Sequence, residues 1–297
     1  MNKSIKRFGQ KLMLVFYRHR LKPEYFKLSM LRDNPENATS LNFQQGIVLS
    51  KSNQFGYLTK HRERNDIEDT IRRKGAWAPH LLELADTLLT GKTAGIILDV
   101  GANVGAFTIP LAKKHPHLRF QLYEPHPDIV EDLKDNIGLN QLENCKLHAV
   151  AVTDLTQESV RFHAQETQSN MGLSSLLPNF NLGDHKTILV RATTLDEVLT
   201  SEQQGQVKLL KIDTQGTELN VLRSARVTIE RSKPAIIFEL EGDAFFGDEV
   251  GAVREELRNF FSDLNYGTYA ITSRTNYMPC LDLTKFYSGD VLAMPKL

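Results

Sequence analysis

The fold is decided by residues 96–108, which read Ile-Ile-Leu-Asp-Val-Gly-Ala-Asn-Val-Gly-Ala-Phe-Thr. Apolar residues dominate the first half of this stretch and predict a buried strand, and the glycines that follow predict a turn into a helix. Gly101 and Gly105 suit such a turn because a Cβ at either position would collide with an approaching ligand or forbid the backbone dihedrals. A strand, a glycine turn and a helix in this order are typical of α/β sheets that bind a ligand at the turn.

Apolar runs and amphipathic segments alternate along the rest of the chain. The predicted strands are 96–100, 120–123, 146–152, 207–212 and 235–240, and the predicted helices between them are 106–114, 128–139 and 218–229. Such alternation favours βαβ units in a parallel sheet. The third and fourth parallel strands are separated by an insertion with two strand-like pieces, 159–163 and 187–191, which predict a hairpin. The tail adds a helix at 253–263 and strands at 268–272 and 290–293, the last of which would run antiparallel to the sheet.

The loop sequence separates two classes of cofactor. A dinucleotide site requires the pattern G-x-G-x-x-G, but Asn103 and Ala106 stand where its second and third glycines would fall. A pyrophosphate would fit poorly there, whereas S-adenosylmethionine has no phosphate and its carboxylate suits free N–H groups at the start of a helix. S-adenosylmethionine is therefore the predicted cofactor, and a nicotinamide-dependent oxidoreductase is the less favoured alternative.

An acidic residue ends the second predicted strand. Glu124 stands there, followed by Pro125, and a carboxylate at this place can accept hydrogen bonds from both ribose hydroxyls of a nucleoside. The alternative roles are structural: Glu124 would cap the following helix, and Asp99 would fix the glycine loop, a task compatible with positioning a ligand. The sequence thus predicts a cofactor site built from the ends of the first two strands.

Several motifs, in the same order along the chain, resemble the FkbM methyltransferase family. They are Asp99 to Gly105 with Thr108, Glu124-Pro125, Asn136 and Asn140, Thr194-Leu195-Asp196, and the most specific one, Lys211-Ile-Asp-Thr-Gln-Gly-Thr-Glu218. The resemblance implies O-methylation of hydroxyls on sugars or macrolide-type natural products. The chain departs from the family in one place, since Ala78 follows the aromatic Trp77 where members often carry an acid.

Loop, strand ends and resemblance together predict a Rossmann-like class I methyltransferase sheet, mostly parallel with an antiparallel final strand, preceded by a mainly helical N-terminal extension. The predicted cofactor-binding residues are Asp99, Gly101, Ala102, Asn103, Gly105, Thr108, Glu124 and Pro125. The alternative from another class is a catalytically silent module that binds S-adenosylmethionine and scaffolds a biosynthetic complex. The acids at positions 99, 124 and 213 are all present, which argues against a loss of catalytic activity.

Three acids are the candidates for catalysis. Methyl transfer is an in-line displacement in which alignment supplies roughly 7–11 kcal/mol and a general base about 10²–10⁴-fold. The carboxyl ends of the strands select Asp213, Glu218 and Glu239, and we expect Asp213 to orient or deprotonate the acceptor hydroxyl. Alternatively, Glu218 complements a helix dipole and Glu239 is a satisfied buried carboxylate. A divalent cation held by the three acids is a further alternative, not favoured, and no metal ligand is predicted.

The composition bears on partners and compartment. Lys and Arg together number 36, as do Asp and Glu, so no overall field favours nucleic acid, and the predicted partner is a small-molecule or glycan acceptor. Cys145 and Cys280 lack metal-ligand spacing and fit reduced thiols in the cytoplasm. Residues 174 and 175 are a serine pair similar to one in the family, or else part of an ordinary polar loop.

The N-terminal region divides into two predicted parts. Residues 1–45 comprise a basic amphipathic helix over 1–22, with seven Lys or Arg and no acid, and a linker over 33–46. This helix would lie peripherally on the inner membrane surface or pack against its own domain or a second copy of the chain. Residues 46–90 would form a packed subdomain, with strands at 47–50 and 55–59 and helices at 66–74 and 79–90, and residues 91–297 the methyltransferase domain.

Overall fold

A computed structural model describes residues 30–34, 38–42, 47–52, 56–62, 67, 70–71, 75–165, 174–177, 185–242, 246, 249–271, 277–279 and 282–296. The basic helix predicted over residues 1–22 lies outside the described residues, and so does Cys280. Within the described part, no helix has the length and apolar character needed to cross a membrane.

The N-terminal region contains an antiparallel sheet. Its four strands pair in sequence order and are β1 (Met30–Asn34), β2 (Ala38–Asn42), β3 (Ile47–Ser52) and β4 (Leu58–Arg62). The prediction of a linker over 33–46 is therefore wrong for the residues of β1 and β2 within it, because Asp33 and Asn34, although common in turns, pair with Thr39 and Ala38. β2 and β3 pair across the predicted boundary at residue 45, and the division of the chain into domains stays a prediction.

The remaining helices and strands follow one another as an α/β chain. In order they are α1 (Pro79–Leu89), β5 (Ile96–Val100), α2 (Thr108–Lys114), β6 (Arg119–Tyr123), α3 (Pro127–Leu139), β7 (Cys145–His148), β8 (Ala151–Val152), β9 (Ser159–Gln165), β10 (His185–Thr193), α4 (Leu195–Val198), α5 (Ser201–Gln204), β11 (Val207–Ile212), α6 (Glu218–Ser224), α7 (Arg226–Ser232), β12 (Ala235–Leu240), α8 (Val250–Asp263), β13 (Tyr266–Ile271), β14 (Tyr277–Pro279) and β15 (Gly289–Pro295).

The main sheet has the strand order β14-β13-β15-β12-β11-β5-β6-β7. The five neighbouring strands β12, β11, β5, β6 and β7 pair in parallel. β15 pairs antiparallel with both β12 and β13. This order confirms the predicted Rossmann-like class I methyltransferase sheet with its reversed final strand. The chain changes direction along the sheet at β5, and in open α/β sheets a ligand binds at the carboxyl ends of the strands beside such a switch.

Two element boundaries differ from the prediction. The apolar run at 146–152 was predicted as one strand, but β7 ends at His148 and β8 joins β9 and β10 in a separate three-stranded sheet. A backbone bond from Val150 N to His148 O, 3.0 Å long, turns the chain between them. The helix predicted over 218–229 is two helices separated at Ala225. The inserted hairpin is confirmed, because β9 and β10 pair antiparallel from Ser159 to Gln165.

The core lies on both faces of the main sheet. All five residues of β5 are buried, as expected for a central parallel strand covered on both sides. One apolar cluster includes Leu98 and Phe238, and another includes Ile97 and Phe120 on the opposite face. Burying each side chain of this size contributes about 1.5–3 kcal/mol. The rigid layers hold the carboxyl ends of β5, β6, β11 and β12 in fixed positions.

Candidate active site

The glycine loop connects β5 to α2. Gly101 has φ +75°, and a Cβ on it would stand 1.8 Å from the carbonyl oxygen of Asp213. Gly105 has φ +83°, and its Cβ would meet the side chains of Ile109 and Leu133 at 2.7 Å. Both glycines are thus required by neighbouring parts of the protein. The positive φ values confirm the dihedral reason expected from the sequence, and the close approach of a ligand stays a prediction.

The backbone amides of this loop donate to oxygens of the protein. Gly101 N and Ala102 N donate to the carbonyl of Tyr123 at 3.0 and 3.1 Å, and Gly105 N donates to Ala102 O at 2.9 Å. Asn103 N donates to Glu124 Oε2 at 3.0 Å, and Val104 N to Asn103 Oδ1 at 2.7 Å. The predicted free N–H groups are therefore not provided by residues 101–105, and the loop fixes the end of β6 instead.

A buried lysine stands behind the loop. Lys211 Nζ lies 3.3 Å from Asp99 Oδ1 and 3.3 Å from Asp213 Oδ2, and it donates to Gly101 O at 3.1 Å. Asp99 Oδ2 also accepts the Thr108 hydroxyl at 2.5 Å. Burial alone would lower the pKa of Lys211, but the charges of Asp213 and Asp99 outweigh burial and raise it. Lys211 therefore stays protonated and ties the loop to the end of β11.

A cavity of about 320 Å³ opens over the carboxyl ends of β5, β6, β11 and β12. Of the predicted cofactor-binding residues, those at its wall are Gly101, Ala102, Asn103, Glu124 and Pro125. Asp99, Gly105 and Thr108 do not line it and support the loop from behind. Trp77 lines the cavity as well. Near Ala78, where the chain departs from the family pattern, His80 Nε2 lies 3.2 Å from Asp290 Oδ2.

Glu124 presents its carboxylate at the end of β6. Oε2 accepts from Asn103 N, and Oε1 accepts from His126 N at 2.9 Å. Burial raises the pKa of Glu124 to about 7, although these two hydrogen bonds act in the opposite direction. Each carboxylate oxygen can accept a second hydrogen bond, so both ribose hydroxyls of a nucleoside find an acceptor here. The described residues at this end of the cavity fit S-adenosylmethionine.

Asp213 and Glu239 come together on the other side of β5. The Gln215 amide donates to Asp213 Oδ1 at 2.8 Å and lies 3.4 Å from Glu239 Oε2, and all three side chains line the cavity. Burial, together with the charges of Asp213, Glu241 and Asp290, raises the pKa of Glu239 to about 9. The raised pKa favours the protonated form of Glu239, which can donate a hydrogen bond.

Glu218, the third predicted acid, does not line the cavity. Its Oε1 accepts from Thr214 N at 3.0 Å, from the Thr214 hydroxyl at 3.1 Å and from Gly216 N at 3.1 Å. These contacts organise the loop after β11, as a first-turn acid of α6 would. Among the described residues, no group of three or more His, Cys, Asp or Glu is placed to hold a metal ion.

The chain is similar in sequence to known methyltransferases. Residues 99–266, more than half of the chain, match the family described as methyltransferase FkbM domain. The chain belongs to the FkbM methyltransferase family. A curated relative, methyltransferase sdnD of Sordaria araneosa, is 26% identical over 162 residues, which are 43% of this chain and 59% of that protein. The chain thus aligns with somewhat less than two thirds of that relative.

Solved structures are similar at lower identity. A methyltransferase FkbM from Methylobacillus flagellatus KT is 14% identical with a TM-score of 0.41, covering 68% of this chain and 44% of that one. TYW2 of M. jannaschii, solved in complex with AdoMet, is 13% identical with a TM-score of 0.40, covering 91% and 96%. The strand order, rather than these scores, carries the fold class.

Three residues of this FkbM methyltransferase site were not among the residues predicted from sequence. Lys211 had a usable signal, because a lysine inside an apolar strand is almost never buried without a partner. Gln215 lies in the motif at 211–218 and Trp77 at the aromatic position compared with the family, but neither residue was assigned a role in the site. Their place at the cavity depends on how the loop after β11 and the segment before α1 pack, which no local pattern contains.

The raised pKa of Glu239 predicts a pH dependence of stability for the FkbM protein. Between its ordinary value of 4.5 and about 9, the folded state binds more protons than the unfolded state, so the free energy of unfolding falls as pH rises through this window. Glu239→Gln removes the titration, and its melting temperature should fall less than that of wild type between about pH 6 and about pH 9. Glu131→Gln, at an exposed side chain, is the control and should keep the wild-type slope. Equal slopes in all three proteins would contradict the burial of an acid at position 239.

Proposed function

We propose that the chain is an S-adenosylmethionine-dependent methyltransferase that methylates a hydroxyl of a sugar, a glycan or a natural product. One observation carries the proposal: a single cavity is lined by Glu124 at the end of β6 and by Asp213 and Glu239 at the ends of β11 and β12. The first carboxylate suits a ribose, and the other two suit a hydroxyl. A cofactor and an acceptor bound there would meet above β5.

The cofactor supplies an electrophilic methyl group when it is bound. Glu124 would accept hydrogen bonds from the ribose hydroxyls, and the aligned binding of two partners lowers the barrier by roughly 7–11 kcal/mol. Asp213 would orient the acceptor hydroxyl and take its proton, while the protonated Glu239 would donate to an acceptor oxygen. The aromatic walls Trp77 and Phe162 would exclude water that competes for the methyl group.

A transfer assay tests this function. The full chain is incubated with methyl-tritiated S-adenosylmethionine and a panel of neutral sugars, oligosaccharides, polyketide alcohols, amines and carboxylic acids. We expect label in hydroxylated members and resistance of the product to alkali, which cleaves methyl esters and leaves methyl ethers. Label confined to amines or acids would overturn O-methylation. Cofactor binding without label in any member would favour the silent scaffold.

Glu124 should control cofactor affinity. Glu124→Ala is expected to weaken S-adenosylmethionine binding by about 1.5–3 kcal/mol, as for hydrogen bonds to charged groups. Because the pKa of Glu124 is about 7 and the ionised form accepts from the ribose, wild-type affinity should fall about tenfold from pH 8 to pH 6. Glu124→Gln should flatten this dependence. The change in fluorescence of Trp77, the only tryptophan, measures binding. Unchanged affinity in a folded Glu124→Ala protein would remove Glu124 from the site.

The proposal also covers the acceptor, the compartment and the N-terminal segment. The acceptor is a small molecule or glycan rather than nucleic acid, and the protein acts in the cytoplasm. The basic segment 1–22 keeps its alternative roles, on an anionic membrane surface or against protein, either the chain's own domain or a second copy. Both roles are predictions from the sequence.

A further inference from the structure

The inserted three-stranded sheet provides part of the cavity wall. Phe162 of β9 and the nearby Ser174 and Leu176 line the cavity. Ser175, between them, points away from solvent and is 1% exposed. Its backbone pairs with that of His163 through two hydrogen bonds of 2.8 and 3.2 Å. The backbone of this wall segment is therefore fixed to β9.

The Ser175 side chain leaves the insert and reaches the loop after β11. Its hydroxyl donates to the carbonyl oxygen of Gln215 at 2.7 Å and accepts from Leu177 N at 3.0 Å. Gln215 has φ +53°, in the left-handed region that is strained for a residue with a Cβ. The hydrogen bond from Ser175 acts on the peptide group of this strained residue and helps to hold it there.

The conformation of Gln215 decides where its side chain points. In this conformation the amide nitrogen lies 2.8 Å from Asp213 Oδ1 and 3.4 Å from Glu239 Oε2. A relaxation of the backbone toward the right-handed region would swing the side chain away from both carboxylates. The hydroxyl of Ser175 is thus linked to the two acids through one residue.

We propose that Ser175 is a positioning residue for methyl transfer, which holds the Gln215 peptide in its left-handed conformation and thereby aims the Gln215 amide at Asp213 and Glu239. This inference rests on the proposed function, because only a reaction at the two carboxylates makes the position of the amide matter. The inserted sheet would then both line the cavity and hold the catalytic side chains in place.

A pair of matched variants tests the role of the hydroxyl. Ser224 is also buried, and its hydroxyl donates to a backbone carbonyl, that of Val221, at 2.7 Å. Ser175→Ala and Ser224→Ala should therefore lower the melting temperature by similar amounts. Only Ser175→Ala should lower kcat, by about tenfold or more, since small misplacements in a site cost up to about 10²-fold. Its affinity for S-adenosylmethionine should stay within a factor of about two of wild type. Equal kcat in the two variants would overturn the proposal.

A double-mutant cycle with Gln215→Ala separates positioning from general loosening of the fold. If Ser175 acts through Gln215, adding Ser175→Ala to Gln215→Ala should change kcat no further. If the two losses multiply, Ser175 does not act through Gln215 and the inference is wrong.

The link from Ser175 to Glu239 can also be measured without an acceptor, through the pKa of Glu239. In protein labelled with ¹³C at the glutamate carboxyls, the Glu239 signal is assigned by its absence in Glu239→Gln and followed through a pH titration. Loss of a donor to the ionised form raises the pKa. The pKa of Glu239 should therefore rise in Gln215→Ala and in Ser175→Ala but not in Ser224→Ala. A rise in Gln215→Ala alone, or in neither variant, would contradict the link.

Discussion

Asp213→Asn is expected to lower the turnover of methyl transfer by about 10²-fold or more, because asparagine can neither take the proton of a hydroxyl nor accept through two oxygens. The fold and most of the cofactor affinity should survive. Lys211 keeps Asp99 as a partner at 3.3 Å, so the variant leaves no buried cation without a counter-charge. The measurement is kcat on the acceptor found in the transfer assay, with binding of S-adenosylmethionine followed in parallel.

A matched control is available for this substitution. Asp86 pairs with Lys114 at 2.7 Å, and its side chain is 26% exposed against 31% for Asp213. Asp86→Asn should leave turnover unchanged. A metal-dependent reaction would be recognised by loss of turnover with a chelator and recovery with Mg²⁺. Near wild-type turnover in Asp213→Asn, without metal dependence, would shift attention to Glu239.

Gly101→Ala is expected to have the largest effect on stability, with a loss of more than about 4 kcal/mol. The added Cβ would stand 1.8 Å from the Asp213 carbonyl oxygen, and neither β5 nor β11 can move within the packed sheet. Cofactor binding should be lost with the loop geometry. Urea unfolding gives the free energy, and titration of the folded fraction gives the affinity.

The control for Gly101 isolates the collision from the backbone strain. Gly91 has φ +79°, close to the +75° of Gly101, but a Cβ there meets nothing within 4 Å. Gly91→Ala should cost only the strain of the left-handed conformation, about 1–2 kcal/mol. Equal losses in the two variants would mean that the close approach of β5 and β11 does not require the glycine.

Much of the fold follows from local pattern. The buried strands β11 and β12 begin and end at the predicted residues, 207–212 and 235–240, because a mostly apolar run of this length fits a covered parallel strand. Of the N-terminal strands, β3 and β4 correspond to the predicted strands at 47–50 and 55–59. β1 and β2 were missed because turn-forming residues such as Asp33 and Asn34 occur in linkers as well as in short strands. Pairing is a property of two segments, and no single segment reveals it.

The candidate site was predictable as far as strand ends determine it. Glu124, Asp213 and Glu239 reach one cavity because the carboxyl ends of parallel strands share an edge of the sheet. Glu218 was grouped with them because it starts the helix that follows β11, but its side chain turns back to the amides of its own loop. The contact between Ser175 and Gln215 joins residues 40 positions apart through the inserted sheet, so it depends on tertiary packing.

O-methylation is tested most directly by identifying the atom that receives the methyl group. Wild-type protein is given S-adenosylmethionine with a ¹³C-labelled methyl group and the acceptor from the panel, and the product is read by carbon NMR. We expect a methyl ether on a hydroxyl oxygen, formed by wild type and by Asp86→Asn but at a greatly reduced rate by Asp213→Asn. A label on nitrogen or carbon, or no product despite saturating cofactor, would contradict it.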